Sequence, residues 1–217
     1  MSRHIVEQGE YLSLIARKHG FSDFHTIWDH PENAKLKQQR KNPNVLFPGD
    51  QLFIPSRELK EESGSTEKKH IFKTKQVRLM LRLVLEDAYF SPIADAKCEL
   101  TVEGQLFKLV TDGDGKLERE IPATAREATI VVKDPVTPLD DNVIPIKIGE
   151  LDPVDEVSGQ KARLNNLGYL AGPIDKHDEA LFRSAVEEFQ CEHIGPSEVD
   201  GKCGPKTQAK LKEIHGC

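Results

Sequence analysis

Apolar and polar residues alternate in the middle of the chain. Leu79, Leu81 and Leu83 are separated by single residues that would face the opposite way. The same period of two recurs in five further runs, at residues 96–102, 106–109, 117–121, 128–132 and 144–148. A period of two is typical of a strand with one buried face. Six or seven short strands in succession predict a β-sandwich of the immunoglobulin or transthyretin kind.

The N-terminal segment shows the helical period instead. Leu12, Ile15 and His19 lie at the spacing of one helix face, and a glycine follows them. A second helix is predicted from Asp23, and a further helical turn is predicted from Pro31. Two flanking strands complete the segment, at residues 4–6 and 51–54.

The C-terminal segment predicts three helices. The first ends at Gly168, the second runs from about residue 178 to 192, and the third begins at Pro205. A weak repeat with a period of 25 residues relates Ile174-Asp175 to Val199-Asp200. Each copy is predicted to be a turn followed by a helix.

The chain therefore divides into three modules and one linker. Residues 57–70 mix charges of both signs around Ser-Gly-Ser, which is typical of a linker. The predicted organisation is a module at 1–56, the linker at 57–70, the sandwich at 71–150 and the helical module at 151–217. The predicted fold class is α+β multidomain.

Charge and hydropathy exclude several classes of function. Asp and Glu number 36 against 30 Lys and Arg, a net charge of −6, so nucleic acid and anionic membranes are not expected as partners. No apolar run approaches the roughly 18 to 20 residues of a membrane span, and the N-terminus lacks the apolar centre of a signal peptide. We expect a protein that is made and left in the cytoplasm unless a signal-independent machine delivers it to the periplasm or a target cell.

The N-terminal segment resembles a LysM domain, the small βααβ module that binds glycans containing N-acetylglucosamine. The resemblance rests on Val6, on residues 9–16 and on the closing run 46–55, Leu-Phe-Pro-Gly-Asp-Gln-Leu-Phe-Ile-Pro. Tyr11 replaces the usual Thr, and the region of the second helix is longer than usual. The resemblance implies a glycan groove lined by two loops, with these candidate residues: Gly9, Glu10, Tyr11, Leu12, Asn42, Asn44, Val45 and Leu46. The alternative is a LysM fold kept as a structural adaptor.

The run Val110–Leu117 resembles the hairpin of carboxypeptidase-regulatory-like domains. Asp112 and Asp114 also suggest calcium, but the third acidic ligand and the closing Glu of an EF-hand loop are missing. Asp-Gly pairs are commoner in hairpin turns, and we predict a turn here. The sandwich is expected to be a spacer or a docking platform.

The C-terminal segment resembles the peptidoglycan-binding domain found beside cell-wall hydrolases. The resemblance rests on residues 163–170, on Ala185-Val186 and Phe189-Gln190, and on residues 199–207. It implies recognition of the glycan or the stem peptide by a face bordered by Tyr169, Asp175, Gln190 and Asp200. A copy of the domain with a purely structural role is the alternative.

Three of the four cysteines lie near the C-terminus: Cys191, Cys203 and Cys217. Neighbouring histidines suggest zinc, but residues two apart on a helix point about 200° away from each other, so no metal or other cofactor is expected. A disulfide joining Cys203 to Cys191 or to Cys217 after export is the more favoured prediction. Otherwise these residues are small buried hydrophobic groups or exposed thiols.

No catalytic motif of the common hydrolase, phosphate-loop or dinucleotide kinds occurs, so we expect a protein that is not an enzyme. Two wall-binding modules on one chain would gain avidity from their tether. The arrangement resembles accessory or effector proteins of type VI secretion and other contractile injection systems, which implies a spike, tail or effector protein as a further partner. The alternative function is a structural tail or baseplate adaptor.

Overall fold

A computed structural model of the chain describes residues 2–57, 63–71, 78–87, 89–133, 142–176 and 178–217. The chain forms two compact units. One comprises Met1–Asn44 and Pro48–Gly149, and the other comprises Val45–Phe47 and Glu150–Cys217. Among the described residues, no helix is both long enough and apolar enough to cross a bilayer. Residues 58–62 of the predicted linker lie outside the described residues.

The N-terminal module has the predicted order of strands and helices. Strand β1 (Ser2–Ile5) pairs antiparallel with β2 (Gln51–Ile54), and Arg3 lies opposite Phe53. Between them lie α1 (Leu12–Lys18), α2 (His25–Trp28), a 3-10 turn (Pro31–Asn33) and α3 (Ala34–Arg40). These elements confirm both predicted strands and the helical region, and the turn predicted at Pro31 continues into α3.

Burial explains why these short elements are stable together. Leu12, Ile15 and Ile27 are fully buried, and Leu52 faces them from β2 with no exposed surface. Helices of four to seven residues are marginal in isolation, so their stability comes from this shared core.

The middle of the chain forms two antiparallel sheets. Strand β3 (Arg78–Val84) pairs with β6 (Lys116–Pro122). The second sheet has the order β5-β4-β7-β8, with bounds Gln105–Val110, Lys97–Val102, Glu127–Lys133 and Asn142–Lys147. Leu117 and Ile121 from the first sheet share one core with Leu100 and Ile130 from the second. The alternating pattern thus correctly predicted the strands, whereas the immunoglobulin or transthyretin type stays a prediction.

The Asp112–Gly115 segment is a turn, as predicted, but it does not close the predicted hairpin, because the flanking strands β5 and β6 belong to different sheets. The Asp112 carboxylate accepts hydrogen bonds from the backbone N–H groups of Asp114 at 2.9 Å and Lys116 at 2.8 Å. Gly115 has φ +72°, and a Cβ there would collide with the Leu85 carbonyl oxygen. The side chain of Asp112 therefore stabilises its own turn.

The C-terminal unit contains three helices, as predicted: α4 (Val157–Asn166), α5 (Glu179–His193) and α6 (Pro205–His215). A 3-10 turn (Pro196–Glu198) precedes α6. Leu164, Val186, Phe189 and Leu211 form the centre of its core and are fully buried. The Asp178 carboxylate caps α5 by accepting a hydrogen bond from Leu181 N–H at 3.1 Å.

Candidate functional site

Two surface loops connect the helices of the C-terminal unit. We call residues 167–178 the first loop, of which 177 is not described, and residues 194–204 the second loop. They carry the two copies of the predicted repeat, with Asp175 in the first loop and Asp200 in the second. Both aspartates are exposed, and each loop leads directly into a helix.

The buried side chain of Lys161 binds the backbone of the first loop. Its side chain is almost fully buried, with 3% of the residue exposed. Its ammonium group donates hydrogen bonds to the carbonyl oxygens of Pro173 at 3.2 Å and Lys176 at 2.6 Å. A buried ammonium group without acceptors would be costly, so these two bonds fix the loop backbone and stabilise the lysine at once.

Gln190 holds the second loop in the same manner. Its amide oxygen accepts hydrogen bonds from Asp200 N–H and Gly201 N–H, both at 3.0 Å. Its amide nitrogen donates to the Asp200 carboxylate at 2.8 Å and to the Lys202 carbonyl oxygen at 3.0 Å. Gln190 is 2% exposed. The residue predicted to recognise a ligand therefore uses both ends of its amide within the protein.

Tyr169 is also part of the core and not of a recognition surface. Its ring packs edge-on against Phe189 at 5.6 Å between centroids, and 2% of the residue is exposed. The hydroxyl donates to the Glu192 carboxylate at 2.7 Å and lies 2.9 Å from His193 Nε2. Of the four residues predicted for this site, the structure leaves Asp175 and Asp200 accessible to a ligand.

Three exposed apolar side chains lie in the first loop or next to it. Leu170 is 79% exposed, Ile174 49% and Leu181 43%. A Cβ placed on Gly172 would lie 3.5 Å from the Leu181 side chain, so Leu181 borders this loop. We call Leu170, Ile174, Leu181 and Asp175 the first-loop surface. It combines three exposed apolar groups with one carboxylate.

The Asp200 carboxyl is held in its charged form. The hydrogen bonds from Gln190 and from Lys202 N–H lower its pKa from the ordinary value. A ligand at the second loop would meet a fixed negative charge at neutral pH.

In the N-terminal module, most of the predicted groove residues are buried. Glu10, Tyr11 and Leu12 are at most 3% exposed, and Val45 and Leu46, which are grouped with the other compact unit, are at most 7% exposed. Gly9 and Asn42 are partly exposed, and Asn44 is exposed. A sugar ring cannot contact a buried side chain without moving its cover, so a glycan could reach three of the eight candidates in this conformation.

Tyr11 is buried against the sandwich, which belongs to the same compact unit. Its hydroxyl donates a hydrogen bond shared between the carbonyl oxygens of Ala125 at 2.7 Å and Ala123 at 3.1 Å. Gly149 approaches the ring so closely that a Cβ there would overlap it. Burial and the charge of Glu103 raise the pKa of Tyr11 to about 12. Tyr11 thus joins the module to the sandwich.

Glu10 is a buried carboxylate that binds neighbouring groups of its own module. Its carboxylate accepts hydrogen bonds from Glu7 N–H at 3.0 Å and from the Lys18 ammonium group, and it lies 2.7 Å from His4 Nε2. Burial alone would raise the pKa of Glu10, but these hydrogen bonds outweigh burial and lower the pKa to about 2. Glu10 therefore fixes the loop that carries Tyr11.

The cysteines are free thiols in the structure. Cys191 is exposed, whereas burial raises the pKa of Cys203 to about 11 and also raises that of Cys217. Burial therefore disfavours the thiolate forms of these two residues, and the thiolate is the nucleophilic form. The disulfide stays a prediction.

Sequence reasoning missed the buried cations of α4. Arg163 is 1% exposed and donates to the carbonyl oxygens of Asp152, Gly159 and Cys217 at 2.7–2.9 Å. Lys161 is equally hidden. Gln190 was detectable, because it follows the buried Val186 by four residues and thus lies on the core face of α5.

Comparisons with known proteins identify the class of the C-terminal unit. Residues 154–211 match the model of the family described as a putative peptidoglycan binding domain. No curated protein and no solved structure matches the chain. Residues 154–211 are therefore similar to peptidoglycan-binding domains, which supports the C-terminal resemblance and supports peptidoglycan as a partner.

Proposed function

We propose that the chain binds peptidoglycan without catalysis and that the first-loop surface makes the contact. The observation that carries the proposal is the match of residues 154–211 to the peptidoglycan-binding family. The loop that bears this surface is fixed to the core by Lys161, so the surface is formed before any ligand arrives. A preformed surface loses little entropy on binding.

The chemistry of the first-loop surface fits the peptide part of the wall. Stem peptides carry alanine methyl groups, amides and the free amine of a diamino acid. Leu170, Ile174 and Leu181 offer apolar contact for methyl groups, and Asp175 offers a carboxylate for an amine. Exposed apolar groups beside a charge are typical of a binding surface.

The test is co-sedimentation of the full chain with purified sacculi. We expect the double variant Leu170→Ser/Ile174→Ser to be retained several-fold less than the wild type. The matched control is Val157→Ser, which removes a 50% exposed valine from the same unit at a position outside the two loops. If the wild type stays in the supernatant, or if the double variant and control sediment equally, the proposal is wrong.

The N-terminal module favours the adaptor interpretation in one respect. Burial of Glu10, Tyr11 and Leu12 supports a role for this module in packing against the sandwich in place of reading a glycan. A chitin pull-down of the full chain tests this point. Retention by chitin that Asn44→Ala abolishes would contradict the adaptor interpretation.

We also propose a place for the chain in a contractile injection system, as an accessory or effector protein. The support is the combination of modules predicted from the sequence. Co-purification of the tagged chain with spike or tail subunits from its own cell tests the proposal. Absence of all such subunits under conditions that retain known cargo would reject it.

A further inference from the structure

A cleft of about 390 Å³ lies beside α3 in the N-terminal module. Its floor is the outer face of the β1–β2 ribbon, where Arg3 lies opposite Phe53. Lys35, Leu36 and Gln39 of α3 line it, as do Glu32 and Gln51. The volume falls within the roughly 300–1,000 Å³ of small-molecule sites. None of the eight predicted groove residues lines this cleft.

The cleft contains an open strand edge. Asn33 uses both ends of its side-chain amide on β2: it accepts from Phe53 N–H at 2.8 Å and donates to the Phe53 carbonyl oxygen at 2.9 Å. The Phe53 backbone therefore points away from β1. Backbone groups on an antiparallel strand alternate in direction, so the N–H and C=O of Gln51, which lines the cleft, also point away from β1.

An open edge of this kind recognises extended peptides. A peptide that adds to a strand forms main-chain hydrogen bonds, and neighbouring side chains determine which sequence is accepted. At Phe53 the edge is already occupied by Asn33, and the Asp50 carbonyl oxygen and Gly49 N–H bond Val6, so the N–H and C=O of Gln51 are the part of this edge left for a ligand. The side-chain amide of Gln39 also suits the amides of a peptide, whereas Gln51 Oε1 already accepts a hydrogen bond from Arg3 at 3.3 Å.

The charges of the cleft select an acidic ligand. Arg3 and Lys35 provide two cations. The Asp50 carboxylate is neutralised by Arg40, which binds it through two hydrogen bonds of 2.8 and 2.9 Å. Glu32 provides a separate carboxylate at the cleft, suited to an amine. A ligand with two carboxylates and one ammonium group would complement this set.

We propose that this cleft binds a short, extended, acidic peptide that pairs with the Gln51 backbone and places its carboxylates on Arg3 and Lys35. The use of a wall stem peptide as the first probe rests on the proposed function, since stem peptides carry carboxylates, amides and an amine. The site itself is independent of the first-loop surface.

The test is an NMR titration of the ¹⁵N-labelled full chain with a synthetic stem pentapeptide. We expect the amide signals of Gln51 and Phe53 to shift. Lys35→Ala should weaken binding about tenfold, the usual effect of losing one charge-assisted hydrogen bond. Lys37→Ala is the matched control: it lies on the same helix but outside the cleft, paired with Asp29 at 2.6 Å, and should leave the affinity unchanged.

Two further ligands distinguish the outcomes. An unrelated acidic tetrapeptide that shifts the same signals would support a peptide site of wider specificity. A neutral N-acetylglucosamine tetramer that shifts them when peptides do not would overturn the proposal, and so would unchanged signals with every peptide at millimolar concentration. Repeating the titration in Leu170→Ser/Ile174→Ser separates the two proposals: the Gln51 shift should persist there even though sacculus binding is lost. If the wild-type chain binds the peptide but does not bind sacculi, the proposed function is wrong and the peptide site remains supported.

Discussion

Removing the Tyr11 hydroxyl should selectively weaken the first compact unit. Tyr11→Phe keeps the buried ring and deletes the hydrogen bond shared between the carbonyl oxygens of Ala125 and Ala123. One hydroxyl has one proton, and the shorter distance of 2.7 Å assigns most of the bond to Ala125. The buried carbonyl then loses its partner, which costs about 1–2 kcal/mol.

The single tryptophan provides a local assay for this loss. Trp28 is buried in the N-terminal module at 4% exposure, so its fluorescence reports on the unit that contains Tyr11. With a urea dependence of about 2 kcal/mol per molar, the midpoint of the transition should fall by about 0.5–1 M. Circular dichroism recorded on the same samples is dominated by the longer helices α4, α5 and α6 of the C-terminal unit, and that part of the transition should not move.

Tyr89→Phe is the matched control, because Tyr89 is 86% exposed and its hydroxyl has water as an alternative partner. A Trp28 midpoint for Tyr11→Phe within about 0.2 M of this control would refute the reasoning, since it would mean that the hydrogen bond contributes less than about 0.4 kcal/mol. Alkaline pH gives a second check. The raised pKa of Tyr11 stabilises the fold below pH 10, and this contribution is lost as the pH rises through about 12 in the wild type but not in Tyr11→Phe.

Three other perturbations test the contacts described above. Glu10→Gln should lower the free energy of unfolding by about 3 kcal/mol at neutral pH, because the folded pKa of Glu10, about 2, lies below the ordinary 4.5. That stability is present above pH 4.5 and is lost as the pH falls towards 2. An acid titration followed by Trp28 fluorescence should therefore be flatter in the variant. Gly149→Ala should lower the Trp28 urea midpoint, because φ is +86° and a Cβ would overlap the Tyr11 ring; an unchanged midpoint would contradict that packing. Gln190→Leu should destabilise the C-terminal unit by about 2–4 kcal/mol and speed amide hydrogen exchange at Asp200 and Gly201. Slow exchange in the variant would show that the second loop does not depend on Gln190.

Periodicity predicted the helices and strands because it reports a local property, the side of an element that is buried. Leu79 to Leu83 and the α5 pattern are correct for that reason. Local sequence does not report which distant group a side chain meets. Tyr11 donates a hydrogen bond to Ala125, which lies 114 positions away in the chain, and this contact helps to bury a residue that the resemblance places in a glycan groove.

The candidate sites were less predictable for the same physical reason. Tyr169 and Gln190 stand at positions that the family resemblance marks for recognition, and both side chains are satisfied inside the protein. A polar residue on a helix either faces a ligand or completes an internal hydrogen-bond network. For Gln190, its position on the core face of α5 distinguishes these cases. For Lys161 the sequence offers no such indication, because a lysine is rarely buried.

The way in which Lys161 and Gln190 hold their loops has an evolutionary consequence. Both side chains bind mostly main-chain atoms, which every amino acid possesses. Substitutions at Ile174, Asp175 or Val199 can therefore accumulate while the loops keep their shape. Descendants of this domain can change the surface that the loops present without rebuilding the scaffold beneath it.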